Sequence, residues 1–152
     1  MTSDEPTGGT GPGHRSVELT RIALGRYEIR NARGGTITIG DGSTDDFTPV
    51  ELLLAALAGC SSVDVDHITS RRAEPESFHV VAEGEKVSTP EDGNHMSDLA
   101  VTFRLGFPEG EGGDRARAAF PRSVAQSRDR LCTVSRTCLL YTSDAADDVA
   151  GV

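Results

Sequence analysis

At 152 residues the chain has room for one domain, and 36% hydrophobic residues is ordinary for a chain that builds a single core. Twenty-four acidic against 15 basic side chains leave a formal net charge of -9, which argues against a nucleic-acid partner, because phosphate-binding surfaces carry a basic stripe. No stretch approaches the roughly 20 apolar residues that span a bilayer, and the N-terminus is acidic and Gly/Pro-rich, so no membrane partner and a cytoplasmic location are expected. In that reducing compartment, three cysteines without zinc-ligand spacing are either inert core thiols or redox groups.

Residues 1–16 hold Thr, Gly, Pro and Asp with almost nothing apolar, too little to offset the entropy of ordering, and are expected to form a disordered tail. Alternation then predicts short antiparallel strands at Val17–Ile22, Tyr27–Arg30 and, after the Gly34-Gly35 turn, Thr36–Ile39. Thr48-Pro49-Val50-Glu51 supplies an N-cap Thr, an N1 Pro and an N3 Glu directly before Leu52-Leu53-Leu54-Ala55-Ala56-Leu57-Ala58, which starts a helix running to about Arg71. Its first turns are apolar nearly all round, the pattern of a helix buried by its neighbours. Strand patterns return at Phe78–Ala82 and Leu99–Leu105, with a turn at Pro90–Gly93. A second helix is expected from Asp114 to about Arg130, with Ala116, Ala118, Phe120, Val124 and Ala125 on its apolar face and Pro121 interrupting it. The sum is an α+β domain over residues 17–137.

Residues 138–152 read differently. Cys138-Leu139-Leu140-Tyr141-Thr142-Ser143-Asp144-Ala145-Ala146-Asp147 is a direct translation of TGT CTC TTA TAC ACA TCT GAC GCT GCC GAC, which resembles a transposase-type sequencing adapter. The expectation is a non-native segment that replaces the true C-terminus and a closing strand, with Cys138 as an artefact.

Pro49-Val50-Glu51-Leu52-Leu53-Leu54-Ala55-Ala56-Leu57-Ala58-Gly59-Cys60 resembles the central-helix signature of the OsmC/Ohr family, in its OsmC-like subgroup. Leu131-Cys132-Thr133-Val134-Ser135 is similar to the family's Cys-Pro-Val segment, with Thr in place of Pro. The resemblance implies antiparallel sheets around a buried central helix that bears the first cysteine, and an intertwined homodimer. It also implies a thiol-dependent peroxidase in which Cys60 attacks an organic hydroperoxide, Cys132 closes a disulfide, and a dithiol reductant restores both. Leu53 and Leu57 would shape a pocket for the substrate's tail.

Chemistry adds a demand: the attacking species is a thiolate, burial raises a thiol's pKa, and the dipole of this helix fades before Cys60, so a cation must reach it. The resemblance points to an arginine of the N-terminal sheet; Arg26 is nearest the expected position, with Arg30 and Arg33 as alternatives. The family's carboxylate that holds this arginine falls at Val50 here. Glu51 lies nine positions before Cys60, roughly 180° around the helix at about 100° per residue, and is read as a cap. Asp64 and His67 share the face of Cys60, but His67 is two turns away and reads better as a helix-end residue. His14, His67, His79 and His95 lack ligand spacing with the cysteines, so neither metal nor cofactor is expected. The competing reading is an OsmC-like protein that binds a small hydrophobic or thiol-reactive ligand without efficient turnover. Val50 favours that reading; the cysteine pair favours the enzyme.

Overall fold

A computed structural model describes residues 12–141 and 150–151. The expected tail therefore lies largely outside the described residues, as do 142–149 and 152 of the expected non-native segment. The chain divides into two compact units, Met1–Leu52 and Leu53–Val152.

The first unit is an antiparallel sheet in the order β1 (Val17–Ala23), β2 (Arg26–Asn31), β3 (Thr36–Gly40). Leu24 and Gly25 join β1 to β2, and Gly25 takes a φ of 70°. A Cβ there would also collide with the Asp41 side chain, so two constraints require glycine. At the next turn Asn31 Oδ1 accepts the amides of Arg33 and Gly35 at 3.0 and 2.9 Å, an Asx turn that sets the register of β2 on β3.

Helix α1 (Pro49–Ser70) begins as its capping box dictates: the Thr48 amide donates to Glu51 Oε1 at 2.8 Å and the Glu51 amide to Thr48 Oγ1 at 3.3 Å. The helix does not bury all its apolar faces. One stripe is buried, Leu57, Ser61, Val65 and Thr69 at i,i+4 spacing, while Ala55, Ala56 and Val63 are exposed. Although the sequence shows no 20-residue apolar run, α1 has the length and mean hydropathy (22 residues, 1.3) of a membrane span. Here it carries Asp64 and Asp66 and turns its stripe into a protein core.

That core belongs to the second unit, where β4 (Ser77–Thr89) and β5 (Gly93–Gly106) form a long antiparallel hairpin. Alternate residues Leu99, Val101 and Phe103 pack with Leu57, Val65 and Val124. The strands outrun their expected lengths because a bulge lets them twist and continue: Asp98 adopts a φ of 54° opposite Gly84. A Cβ on Gly84 would come within 2.8 Å of Leu99 Cδ2. A two-residue β6 (Ala150–Gly151) pairs parallel with β5, the one departure from antiparallel pairing among the described strands.

Helix α2 (Glu111–Gln126) starts three residues before the expected Asp114 and keeps Pro121 inside it. Phe120, edge-on to Phe103 and Phe107 at 6.3 and 6.5 Å, and buried Val124 anchor the helix on either side of the proline and offset its missing hydrogen bond. Ala118 is exposed, contrary to expectation; the buried face runs through Gly113, Ala116, Ser123 and Val124, as helical periodicity from Ala116 requires. The helix does not continue to Arg130 but relaxes into a π-helical turn, Ser127–Leu131, followed by α3 (Thr133–Tyr141), which crosses position 138. Cys138 packs against the core from α3.

Leu57 has 1% exposure, so Leu57→Ala is expected to cost about 2–5 kcal/mol. Thr48→Ala, which removes one cap bond, is expected to cost about 0.5–2 kcal/mol. Urea unfolding of both variants checks this order, and equal losses would contradict it.

Candidate active site

Cys60 lies about three turns into α1; Cys132 follows the π-helical turn and precedes α3. Both are free thiols, and each shifts the titration of the other. Cys132 has no solvent exposure, whereas Cys60 is partly exposed.

The π-helical turn puts Cys132 there. Its closing bond runs from the Cys132 amide to the Ser127 carbonyl at 2.8 Å, and Ser127 is itself fastened to α1 by its hydroxyl, which donates to Asp64 Oδ2 at 2.8 Å. Such turns are rare and concentrate at functional sites. Cys132 then acts as the N-cap of α3: its carbonyl accepts the Arg136 amide at 2.9 Å and its sulfur accepts the Ser135 amide at 3.4 Å. The Ser61 hydroxyl donates to the same sulfur at 3.6 Å. The Val134 amide, also in the first turn of α3, favours the thiolate of Cys60, so both cysteines draw on the N-terminus of one helix, where negative charge is favoured.

The two thiols are nevertheless unequal. Burial pushes the Cys132 thiol up, but hydrogen bonds from the Ser135 side chain and amide, from Ser61 and from Cys60 outweigh it, and the net shift is downward. Cys60 shifts upward: burial is the largest cause, the Val134 amide offsets part of it, and Cys132 and the negative charge of Asp64 add to it. The sequence reading sought a cation for Cys60; within the second unit the groups that dominate its titration are neutral or negative.

Arg26 belongs to the first unit, where its Nε meets Asp46 Oδ2 at 3.0 Å. That contact and a hydrogen bond from Thr44 hold the Asp46 carboxyl below its usual range. A carboxylate thus grips Arg26 although Val50 replaces the one expected. Of the alternatives, Arg30 lies 3.7 Å from Glu28 and Arg33 sits in the β2–β3 turn. Glu51 serves the cap, His67 is exposed, and Leu57 is a core residue that cannot line a substrate pocket. Sequence reasoning missed Ser61, Ser127, Ser135 and Asp46. Only Ser61, beside Cys60, and Ser135, three positions after Cys132 as an N3 residue, carried any local signal.

The sequence profile of the family described as OsmC-like protein matches residues 40–139. The fold is similar to that of an OsmC-like protein of unknown function from Vibrio cholerae (TM-score 0.70, 12% identity, covering 93% of this chain and 99% of that one). It is also similar to a hypothetical protein from Aquifex aeolicus (TM-score 0.69, 19% identity, 91% and 95% covered). A third similar structure is the organic hydroperoxide resistance protein OhrB of Bacillus subtilis (TM-score 0.56, 13% identity, 90% and 96% covered). No curated protein matches the sequence.

The direction of the two shifts predicts that, as pH rises, the first thiolate of the pair forms on Cys132, below the ordinary thiol range, and Cys60 ionises above it. Thiolate absorbance at 240 nm should therefore retain its lowest step in Cys60→Ala and lose it in Cys132→Ala. The reverse pattern would overturn the assignment.

Proposed function

The chain belongs to the OsmC-like family, and on that basis we propose that it is a thiol peroxidase that reduces organic hydroperoxides through Cys60 and Cys132. The observation that carries this reading is that Ser61, the residue after the partly exposed Cys60, donates its hydroxyl at 3.6 Å to the sulfur of the fully buried Cys132 at the N-terminus of α3. Substrate meets Cys60, because Cys132 has no open surface. The cycle starts with Cys132 as thiolate. Cys60 passes its proton to Cys132 as its sulfur attacks the peroxide's terminal oxygen; the S–O bond forms and the O–O bond breaks. Cys132 returns the proton to the departing alkoxide, which leaves as alcohol, and is again a thiolate. It attacks the sulfenic sulfur of Cys60 and expels hydroxide, which takes a proton from solvent, and the disulfide closes before further oxidation. A dithiol reductant restores both thiols by exchange, which suits the cytoplasmic location expected from the sequence.

Arg26 is the proposed cation for the first step, and its pairing with Asp46 supports this role by fixing the guanidinium. The competing reading, a binder of a small hydrophobic or thiol-reactive ligand, draws on Val50; the Arg26–Asp46 pair weakens it, since a carboxylate is present from another position. The proposal includes a homodimer. Val17, Leu19 and Ile37 lie on one face of the first sheet with 66%, 55% and 50% exposure, an apolar strip that a second copy would cover.

Stopped-flow mixing with cumene hydroperoxide tests the enzyme. Reduced protein is expected to outpace free cysteine, Cys60→Ser to abolish the reaction, and Cys132→Ser to slow the first turnover and form no intramolecular disulfide. Arg26→Ala is expected to lose about tenfold or more in rate, roughly 1.4 kcal/mol in the barrier. Peroxide loss no faster than with free cysteine would sink the enzymatic reading and leave the ligand-binding one. For the dimer, sedimentation velocity of Leu19→Asp is expected to show monomer where the parent shows dimer; identical sedimentation of the two would contradict it.

A further inference from the structure

Away from the thiols, a cleft of about 350 Å³ opens between the end of α1 and α2 within the second unit. Gly112 brings the two helices together, since a Cβ there would come within 2.8 Å of the Arg72 carbonyl oxygen. The lining residues include Arg71, Arg72 and Arg122, together with Gln126 and the apolar Ile68 and Leu131.

This composition needs an explanation on a chain of net charge -9. Arg72 has a structural one: its Nη1 donates to the Ile68 carbonyl at 2.7 Å, capping the negative end of α1. Arg71 can share in that attraction to the helix dipole. Arg122 comes from another helix and has no such reason to be there. Among the described residues neither Arg71 nor Arg122 forms an ion pair with a carboxylate, a state they share with several other arginines such as Arg104 and Arg115, so what sets them apart is the cleft they share. Like charges on the walls of one cleft repel, and an anion between them would turn that repulsion into attraction. Guanidinium forks match the two oxygens of a carboxylate, and Leu131, 46% exposed beside them, offers contact to a hydrocarbon tail.

We propose that this cleft is a binding site for an amphipathic carboxylate, whose head is held by Arg71 and Arg122 with Gln126 and whose tail lies on Ile68 and Leu131. The volume is at the low end for a small-ligand pocket, and five of its eight lining residues are polar, a lining that suits a charged head more than a long tail. The site uses neither thiol, so it stands apart from the peroxidase reading.

Calorimetric titration of the full chain with octanoate, octanol and inorganic phosphate tests it. Octanoate is expected to bind saturably, and octanol and phosphate at least tenfold more weakly, since each lacks one half of the recognised chemistry. The double variant Arg71→Ala/Arg122→Ala and the milder Arg122→Gln are expected to weaken octanoate binding, the former at least tenfold. Arg117→Ala, whose guanidinium is engaged by Asp114 and the Phe107 carbonyl, is expected to bind as the parent does, as is Cys60→Ser. Far-UV circular dichroism identifies any variant that fails to fold, and Arg122→Gln then carries the test. No saturable octanoate binding, binding unchanged in the arginine variants, or phosphate binding as tightly as octanoate would each overturn the proposal.

Discussion

Two polar links between α1 and the segment that follows α2 fix where Cys132 sits relative to α1. The Ser127 hydroxyl holds Asp64, and the Ser61 hydroxyl holds the sulfur of Cys132. Ser61, Ser127 and Cys132 are buried, so an orphaned partner at either link would cost about 1–3 kcal/mol, and the segment cannot drift without breaking both. The π-helical turn is the conformation that satisfies the two links at once, because its extra residue per turn lets Ser127 face α1 while its carbonyl still accepts the Cys132 amide.

The links also decide how charge is shared between the cysteines. A buried sulfur is a poor place for a negative charge, and burial acts on both thiols in the same direction. The difference lies in donors: Cys132 collects an amide and hydroxyl groups, while Cys60 receives one amide and faces Asp64. Accessibility runs the other way, since the better-stabilised sulfur is the one sealed from solvent. The proposed division of labour between a reachable thiol and a proton-accepting one rests on that opposition.

Much of the local structure was legible. Thr48-Pro49-Val50-Glu51 announced the start of α1 because a capping box is a short-range interaction, complete within four residues. The turn at Gly34-Gly35 and the strands of the first sheet were readable for the same reason, although the part of Asn31 in that turn was not read. The extent of β4 and β5 was not, since the bulge at Asp98 depends on what the opposite strand presents, here Gly84. Nor was the fate of α2, where Pro121 argued for an end and the packing of Phe120 and Val124 prevailed.

The sequence by itself determined the family, through its helix signature and second cysteine motif, and the identity of the two thiols. Only the tertiary structure decided which of them is the more acidic, that Ser61, Ser127 and Ser135 make the hydrogen bonds around Cys132 and its turn, and that Arg26 pairs with Asp46. The physical reason is range. Caps, turns and motifs are set by neighbours along the chain, whereas a thiol's proton affinity is set by burial and donors drawn from residues as far apart as Ser61 and Cys132.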